Sequence, residues 1–476
     1  MSETNSNIRF GTDGWRAVIA DNFTFDNVRI VAQAIAGYVK GKRLKDKGLS
    51  KTLIVGYDRR FLSKEYAKIV SEVLAGNGIK VLLTKNPTPT PVISFAIKKQ
   101  CLDGGIIITA SHNPPKFNGI KFKTNEAAPA DEKVTGDLEK RLGKSKVKVL
   151  EIDVAIEKKL IQFVNVDNDY IDFIKNYVNI DLIKKAPLRI LVDYMHGAGI
   201  GYIEKFLGDS KSRLDAIRDF DDPLFGGINP EPIPKNLKFP AALAKRRRWD
   251  LIVALDGDAD RIGALRPDGV FISSGQVISL LLLHLLNNKG KTGTVVKTIS
   301  GTTLIEHICD KFHLGLIETP VGFKHISALI QKQKVLIGGE ESGGIGFCDY
   351  IPERDGILSA LLLIEMLAVT GMDISSIIKK MDADYGVFRY DRIDVEYPKH
   401  KADALAKFLV KKPLKVLSGR KVLKVKTYDG IKFITEDESW LLLRFSGTEP
   451  LIRLYAEAHT NRDVKKLLEE GKNLIR

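Results

Sequence analysis

The feature that most constrains this chain is the recurrence of short apolar runs separated by segments of helical period, along most of its 476 residues. Leu53 to Tyr57, Val81 to Thr84, Gly105 to Ile108, Arg189 to Asp193, Leu251 to Leu255, Gly293 to Lys297 and Val335 to Ile337 read as buried strands. Between them the period changes. Val28, Val31, Ile35 and Val39 mark one face of a helix from about Phe25 to Lys40, and further helices are expected from Ser63 to about Ala75 and from Leu358 to Val369. Strands alternating with helices imply βαβ units and largely parallel sheets. Residues 8–22 alternate short apolar pieces with glycine turns, which reads as a strand and a loop carrying Arg16.

A chain of this length exceeds one core and divides into three or four domains at ~100–150 residues each. The charged stretch Gly143 to Lys148, the polar stretch Val164 to Asp169, Asp268-Gly269 and Ala383-Asp384 are the points of change. They set domains at 1–165, 166–268, 269–384 and 385–476. The first three read as α/β/α, and the last, with shorter strands and Lys-rich helices, as a smaller α+β domain. No strict internal repeat is present.

Composition narrows the function. No segment reaches the ~18–20 uninterrupted apolar residues of a membrane span; the longest, Val277 to Leu286, contains Ser279 and His284 and reads as a buried helix. The N-terminal stretch is polar and lacks the basic and apolar regions of a signal peptide, so a cytoplasmic protein with no membrane partner is expected. Cys101, Cys309 and Cys348 are widely and irregularly spaced, which suggests neither disulfides nor a thiolate metal site. The net charge of +15 favours anionic partners. The basic residues are spread among 59 acidic ones, and only Lys245 to Arg248 forms a tight run, read as a solvated helix face. Phosphorylated small molecules suit that balance as well as nucleic acid does.

Four stretches carry chemistry. In Thr109-Ala-Ser-His-Asn-Pro-Pro115, Ser111 follows a buried strand, where open α/β sheets keep their ligands, and two prolines stiffen the turn. A serine oxygen needs a base, a metal or converging positive charge to act as a nucleophile, and His112 and Lys121 are near. The competing reading is a turn cap. Asp256-Gly-Asp-Ala-Asp-Arg261 follows another strand; Asp256, Asp258 and Asp260 can converge on one hard cation. It resembles an EF-hand start, but Arg261 and Pro267 stand where glycine and glutamate are required, so Mg²⁺ sharing a phosphate fits better. A solvated acidic turn is the alternative, disfavoured by the mutual repulsion of three carboxylates. Gly338-Gly-Glu-Glu-Ser-Gly-Gly344 offers Glu340 and Ser342 to sugar hydroxyls, its glycines letting backbone approach a ligand; otherwise it is a flexible loop. Arg444-Phe-Ser-Gly-Thr-Glu-Pro450 offers a guanidinium and two hydroxyls to a phosphate, or is a strand-end turn. Gly143-Lys-Ser and Gly290-Lys-Thr lack the earlier glycine of a Walker loop, and His196-Gly-Ala-Gly-Ile-Gly201 does not complete a dinucleotide fingerprint. His284, His307, His313, His400 and His459 have no ligand spacing and read as structural.

Taken together, in this order along the chain, the four stretches resemble those of the α-D-phosphohexomutases, the phosphoglucomutase/phosphomannomutase family. Gly11 to Arg16, Asn229 to Pro232 and Glu318 to Lys324 are also similar to family stretches. The resemblance implies three related α/β/α domains and a smaller fourth around a central cleft. It implies that Ser111 is the phosphoserine, that its phosphate joins Asp256, Asp258 and Asp260 in holding Mg²⁺, and that a hexose monophosphate is converted through a hexose 1,6-bisphosphate. Lys121 and Arg16 match positions lining the reacting centre, and His112 adjoins it. Lys324 matches a lysine proposed as general acid/base in glucose-type members. Arg444, Ser446, Gly447 and Thr448 match the grip on the phosphate that is not reacting. The form Gly-Glu-Glu-Ser-Gly-Gly is closer to phosphoglucomutases than to phosphoglucosamine mutases, so glucose is the expected sugar, with mannose also open.

The expected enzyme is a mutase acting on a phosphosugar as monomer or homodimer. A hexose 1,6-bisphosphate synthase is the enzymatic alternative. A basic nucleic-acid-binding protein would need clustered Lys/Arg with exposed aromatics, which the sequence offers nowhere beyond 245–249.

Overall fold

The computed structural model describes residues 8–11, 13–41, 51–445 and 451–475. They gather into two compact units, one of the described residues within 8–272, 327–333 and 342–374, the other of those within 273–326, 334–341 and 375–475.

The first unit contains two mixed sheets. In one, Thr52–Tyr57 lies centrally with Gly104–Ile108 and Lys80–Thr84 parallel to it, and Ile161–Val164 continues parallel beyond Lys80–Thr84. On the other side Phe117–Thr124 runs antiparallel to Gly104–Ile108, and Trp15–Val18 antiparallel to Phe117–Thr124. The sheet is thus less parallel than the βαβ reading implies. The reason is local: the serine loop joining Gly104–Ile108 to Phe117–Thr124 is too short for a crossover, and a short connection reverses the chain. Arg16 accordingly lies within the strand Trp15–Val18, not on a loop. Helices Phe25–Gly41 and Ser63–Gly76 bury Val28, Val31, Ile35, Tyr66 and Val70 against Leu53, Val55 and Ile106. The second sheet has the order Phe271–Ile272, Ile262–Leu265, Leu251–Leu255, Arg189–Asp193, Arg213–Ile217, again mixed. The helix Gly356–Thr370 is buried nearly all round, packing on Leu251–Leu255 and Ile262–Leu265, so this part of the 269–384 segment belongs to the first unit. Lys245 to Arg248 follow the helix Lys238–Ala244 instead of lying on its face.

In the second unit Leu316–Thr319, Thr294–Thr298 and Val335–Gly339 pair in parallel. Helix Ser274–Asn287 carries the longest apolar run and begins with a reciprocal capping box between Ser273 and Gln276. Six strands then form an antiparallel sheet in the order Arg389–Glu396, Leu451–Ala458, Trp440–Phe445, Ile431–Thr435, Arg420–Lys426, Val416–Leu417. Helix Asn461–Leu474 buries Val464 and Leu467 against Leu441 and Leu454. The basic excess is less evenly spread than expected: 399–426 holds nine Lys and one Arg against Asp403 alone. Most of it divides between the helix Lys399–Lys411 and the strand Arg420–Lys426, next to the short edge strand Val416–Leu417.

Candidate active site

The serine loop is shaped from beneath. Ser111 has φ 51°, in the left-handed region, and its N–H donates to Thr109 Oγ1 at 2.8 Å. Thr109 Oγ1 in turn donates to Asp58 Oδ2 at 2.6 Å. Asp58 pairs with Arg60 Nε at 3.2 Å, both side chains fully buried. Arg60 then donates to four loop carbonyls: Ser111 at 2.6 Å, Asn113 at 2.7 Å, and Pro114 and Phe117 at 3.0 Å. A charge-assisted bond contributes about 1.5–3 kcal/mol, so this set holds the loop more firmly than the two prolines alone. In the sequence Asp58-Arg59-Arg60 is only a charged triplet after a strand, with nothing to mark Asp58 and Arg60 as supports of the serine loop.

Asp256, Asp258 and Asp260 are fully buried, and one oxygen of each lies within 4.8 Å of the others. Ser111 Oγ donates to Asp256 Oδ2 at 2.9 Å. The two loops can touch because residue 257 is glycine; a Cβ there would stand 2.5 Å from the Ser111 carbonyl oxygen. A second glycine, Gly197, lets the 196–201 turn pack under the carboxylate loop, where Ala198 N–H donates to the Gly257 carbonyl at 2.9 Å. That accounts for Gly197 of the incomplete dinucleotide fingerprint.

Lys121 Nζ reaches Asp258 Oδ2 at 2.7 Å, Asp260 Oδ2 at 2.9 Å and Asp13 Oδ2 at 3.0 Å. Burial disfavours its charge, yet Asp13, Asp258 and Asp260 prevail and raise it above the ordinary lysine range. Arg354 Nη2 donates to Asp260 Oδ2 at 2.6 Å and Asp13 Oδ2 at 2.7 Å. Thr90 closes the set, its hydroxyl 2.5 Å from Asp258 Oδ2. Against the cost of burial, Lys121 and Thr90 hold the Asp258 carboxyl below the carboxylate range. Asp256 goes the opposite way, pushed well above it by burial and by Asp260 and Asp258. His112 Nδ1 is 3.5 Å from Ser111 Oγ, at the outer edge of hydrogen-bond reach. Burial, then Arg261, Arg16 and Arg354, hold its imidazole well below the ordinary histidine range, which favours the neutral ring. Arg16 Nη1 donates to Asn113 Oδ1 at 2.6 Å.

The carboxylate group fits a hard divalent cation. Lys121 and Arg354 take the Oδ2 atoms, while Oδ1 of both Asp258 and Asp260 is buried without a hydrogen-bond partner among the described residues. Buried orphan carboxylate oxygens are rare unless an ion satisfies them, and an all-oxygen set suits Mg²⁺. Asp13 and Arg354 belong to this centre; Asp13 lies in the stretch Gly11 to Arg16 but carries no assigned role from sequence, and Arg354 carries no signal at all, because their partners lie roughly a hundred residues or more away in the chain.

The loop 338–344 divides. Ser342 lies in the first unit, with its Oγ buried and unpartnered among the described residues. Its glycines serve packing: a Cβ on Gly343, at φ +86°, would stand 2.2 Å from the Ile262 carbonyl, and one on Gly344 2.3 Å from Arg354 Cδ. Packing by itself therefore requires glycine at these two positions. In the second unit, Glu340 is buried and Lys324 half-buried at the start of helix Phe323–Ile330. Glu341 accepts from Ser300 Oγ at 2.7 Å. Arg444 Nε is held by both oxygens of Asp429 at 3.1 Å, which aligns its guanidinium. Ser446, Gly447 and Thr448 lie outside the described residues. His284, His307 and His459 are engaged with Asn288, with Tyr385 and Glu438, and with Val387 and Asp437.

Family models match almost the whole chain. Those for phosphoglucomutase/phosphomannomutase alpha/beta/alpha domains I, II and III match residues 7–148, 168–269 and 273–385, and that for the C-terminal domain matches 402–473. A phosphoglucomutase/phosphomannomutase of Thermococcus kodakarensis is 30% identical, covering 98% of each chain. A phosphoglucosamine/phosphogalactosamine mutase of Sulfurisphaera tokodaii is also 30% identical with the same coverage. A solved structure from Thermus thermophilus, provisionally assigned as a phosphomannomutase, is 35% identical with TM-score 0.86, covering 98% of this chain and 99% of its own.

Proposed function

The chain belongs to the phosphoglucomutase/phosphomannomutase family and is a mutase, and from that premise we propose that it interconverts hexose 1-phosphate and hexose 6-phosphate, glucose preferred and mannose accepted, through phosphorylated Ser111 and a hexose 1,6-bisphosphate. The observation that carries this reading is the hydrogen bond from Ser111 Oγ to a buried carboxylate triad ringed by Lys121, Arg16, Arg261 and Arg354. Phosphoryl transfer needs positioning and neutralised charge more than covalent machinery, and cations concentrated around one hydroxyl supply both.

In the forward half-reaction the Ser111 Oγ–phosphorus bond breaks as the free hydroxyl of the monophosphate bonds to phosphorus. That hydroxyl's proton leaves to a base, for which His112, 3.5 Å from Ser111 Oγ, and Lys324, by the resemblance, are the candidates. The bisphosphate turns over, and its other phosphoryl returns to Ser111 Oγ. Mg²⁺ held by Asp256, Asp258 and Asp260 would supply neutralisation of the phosphoserine charge. Lys121 and Arg354 keep the triad in place throughout, and Arg444, aligned by Asp429, grips the phosphate that is not reacting.

Relatives named for glucosamine phosphates make sugar choice the point to test. Glucose, mannose and glucosamine 1-phosphates should be compared at equal enzyme, each with and without its bisphosphate. The expected order of kcat/KM is glucose, then mannose, with glucosamine lower than glucose by about tenfold or more, the scale of one polar contact. Faster turnover of glucosamine 1-phosphate overturns the sugar preference; accumulation of free bisphosphate as sole product overturns the mutase reading in favour of a synthase.

A further inference from the structure

The first unit contains a cavity of about 190 Å³ that none of the reaction residues lines. It lies at the carboxyl ends of three parallel strands. Arg59 stands two residues beyond Thr52–Tyr57, Lys85 directly beyond Lys80–Thr84, and Asn165 directly beyond Ile161–Val164. Crevices at the carboxyl ends of open α/β sheets are where these folds hold ligands.

Its walls are cationic. Arg59, Lys85 and Lys205 line it along with one carboxylate, Asp167, which already accepts from Tyr202 Oη at 2.6 Å and Lys205 Nζ at 2.5 Å. Arg59 pairs with Asp221 through Nη1, yet its Nε is buried without a hydrogen-bond partner among the described residues. Lys85 makes no ion pair among them, and Asn86 and Asn165 add amide donors. An orphaned guanidinium N–H beside two ammonium groups is a donor set for a phosphate: Arg supplies directed bonds, Lys point charge.

We propose that this cavity binds the phosphate group of a small phosphorylated metabolite at a site separate from Ser111, and that its occupant tunes the Ser111 loop. Both walls run directly into the supports of the reacting centre. Arg59 sits between Asp58 and Arg60, the pair that holds the loop carbonyls. Thr88, which lines the cavity, precedes by two residues Thr90, whose N–H and hydroxyl bind Asp258. A ligand that shifts either wall therefore has a physical route to the serine or the triad, and coupling of that kind commonly amounts to about 5- to 150-fold in affinity. Binding itself does not depend on how Ser111 is read; only the effect on turnover does.

The test is hydrogen–deuterium exchange of the full-length Ser111→Ala protein, which cannot turn over, with glycerol 3-phosphate as probe and glycerol as control. Saturable protection is expected in peptides covering 84–90, 161–168 and 199–206, with none from glycerol. Lys85→Glu in the same background should weaken that protection about tenfold or more, the scale of one charge-assisted contact, and Lys85→Arg should retain it. Protection confined to peptides outside these three, equal protection by glycerol, or an unchanged midpoint in Lys85→Glu overturns the proposal. Because no catalysis is read, these outcomes stand apart from any failure of the mutase assay.

Discussion

Gly257 carries no functional group, yet the placing of Ser111 depends on it. With a Cβ 2.5 Å from the Ser111 carbonyl oxygen, alanine cannot fit unless one loop retreats, and reacting groups displaced by ~1 Å cost about a hundredfold. Gly257→Ala should therefore lower kcat by about a hundredfold with the fold intact by circular dichroism; activity within about threefold of the parent would mean that the loops need not touch. Arg60 gives a parallel case, since its loss would free four loop carbonyls. At this scale the sequence is only partly legible. The three aspartates stand out by their alternate spacing after a strand, whereas Ser111 stands out only when its loop is read together with the other three stretches. Arg60, Asp13 and Arg354 do not, because a single arginine after a strand means nothing until the chain has brought its partner across the fold.

Among the elements, the helix Gly356–Thr370 joins packing to titration. Its N-cap, Asp355, accepts from Leu358 N–H at 2.8 Å and from the hydroxyls of Tyr350 at 2.8 Å and Tyr170 at 2.9 Å. Burial nevertheless pushes its carboxyl up from 3.8 to about 6. The folded protein then keeps a proton that the unfolded chain releases, so the contribution of this group to stability falls as pH rises from about 4 to about 6, by roughly 3 kcal/mol in all. Asp355→Asn keeps the cap and removes the titration. Denaturant unfolding at pH 4 and pH 7 should show the parent losing roughly that much more than the variant; parallel losses would contradict the assignment. The existence of this helix, and of the strands at 104–108, 189–193 and 251–255, was legible because apolar period and length report burial. The antiparallel return at 117–124 was not, since its pairing is set by the shortness of the serine loop and not by its own pattern. Likewise Arg16 reads as loop because glycines surround it, although pairing with Gly119 makes it strand.

For the molecule as a whole, the proposed function needs a buried anionic triad, a cationic ring and one hydroxyl to work as a single phosphoryl-transfer centre. Three buried carboxylates should gain from a cation, so Mg²⁺ should raise Tm and chelation should stop turnover reversibly. Asp258→Asn should weaken Mg²⁺ affinity by calorimetry about tenfold or more; a Tm indifferent to Mg²⁺ in the parent would contradict the metal reading. Arg444→Ala should raise KM and release free bisphosphate, because a grip present in ground and transition states alike contributes to binding more than to kcat; unchanged KM with no leaked intermediate would make Arg444 a partner of Asp429 only. The central claim concerns Ser111 itself, and it is tested by supplying hexose 1-phosphate labelled with ³²P, quenching during turnover and mapping the labelled peptide by mass spectrometry. The label should reside on Ser111, and Ser111→Ala should lose both label and nearly all turnover; label on another residue, or full turnover in that variant, would contradict it.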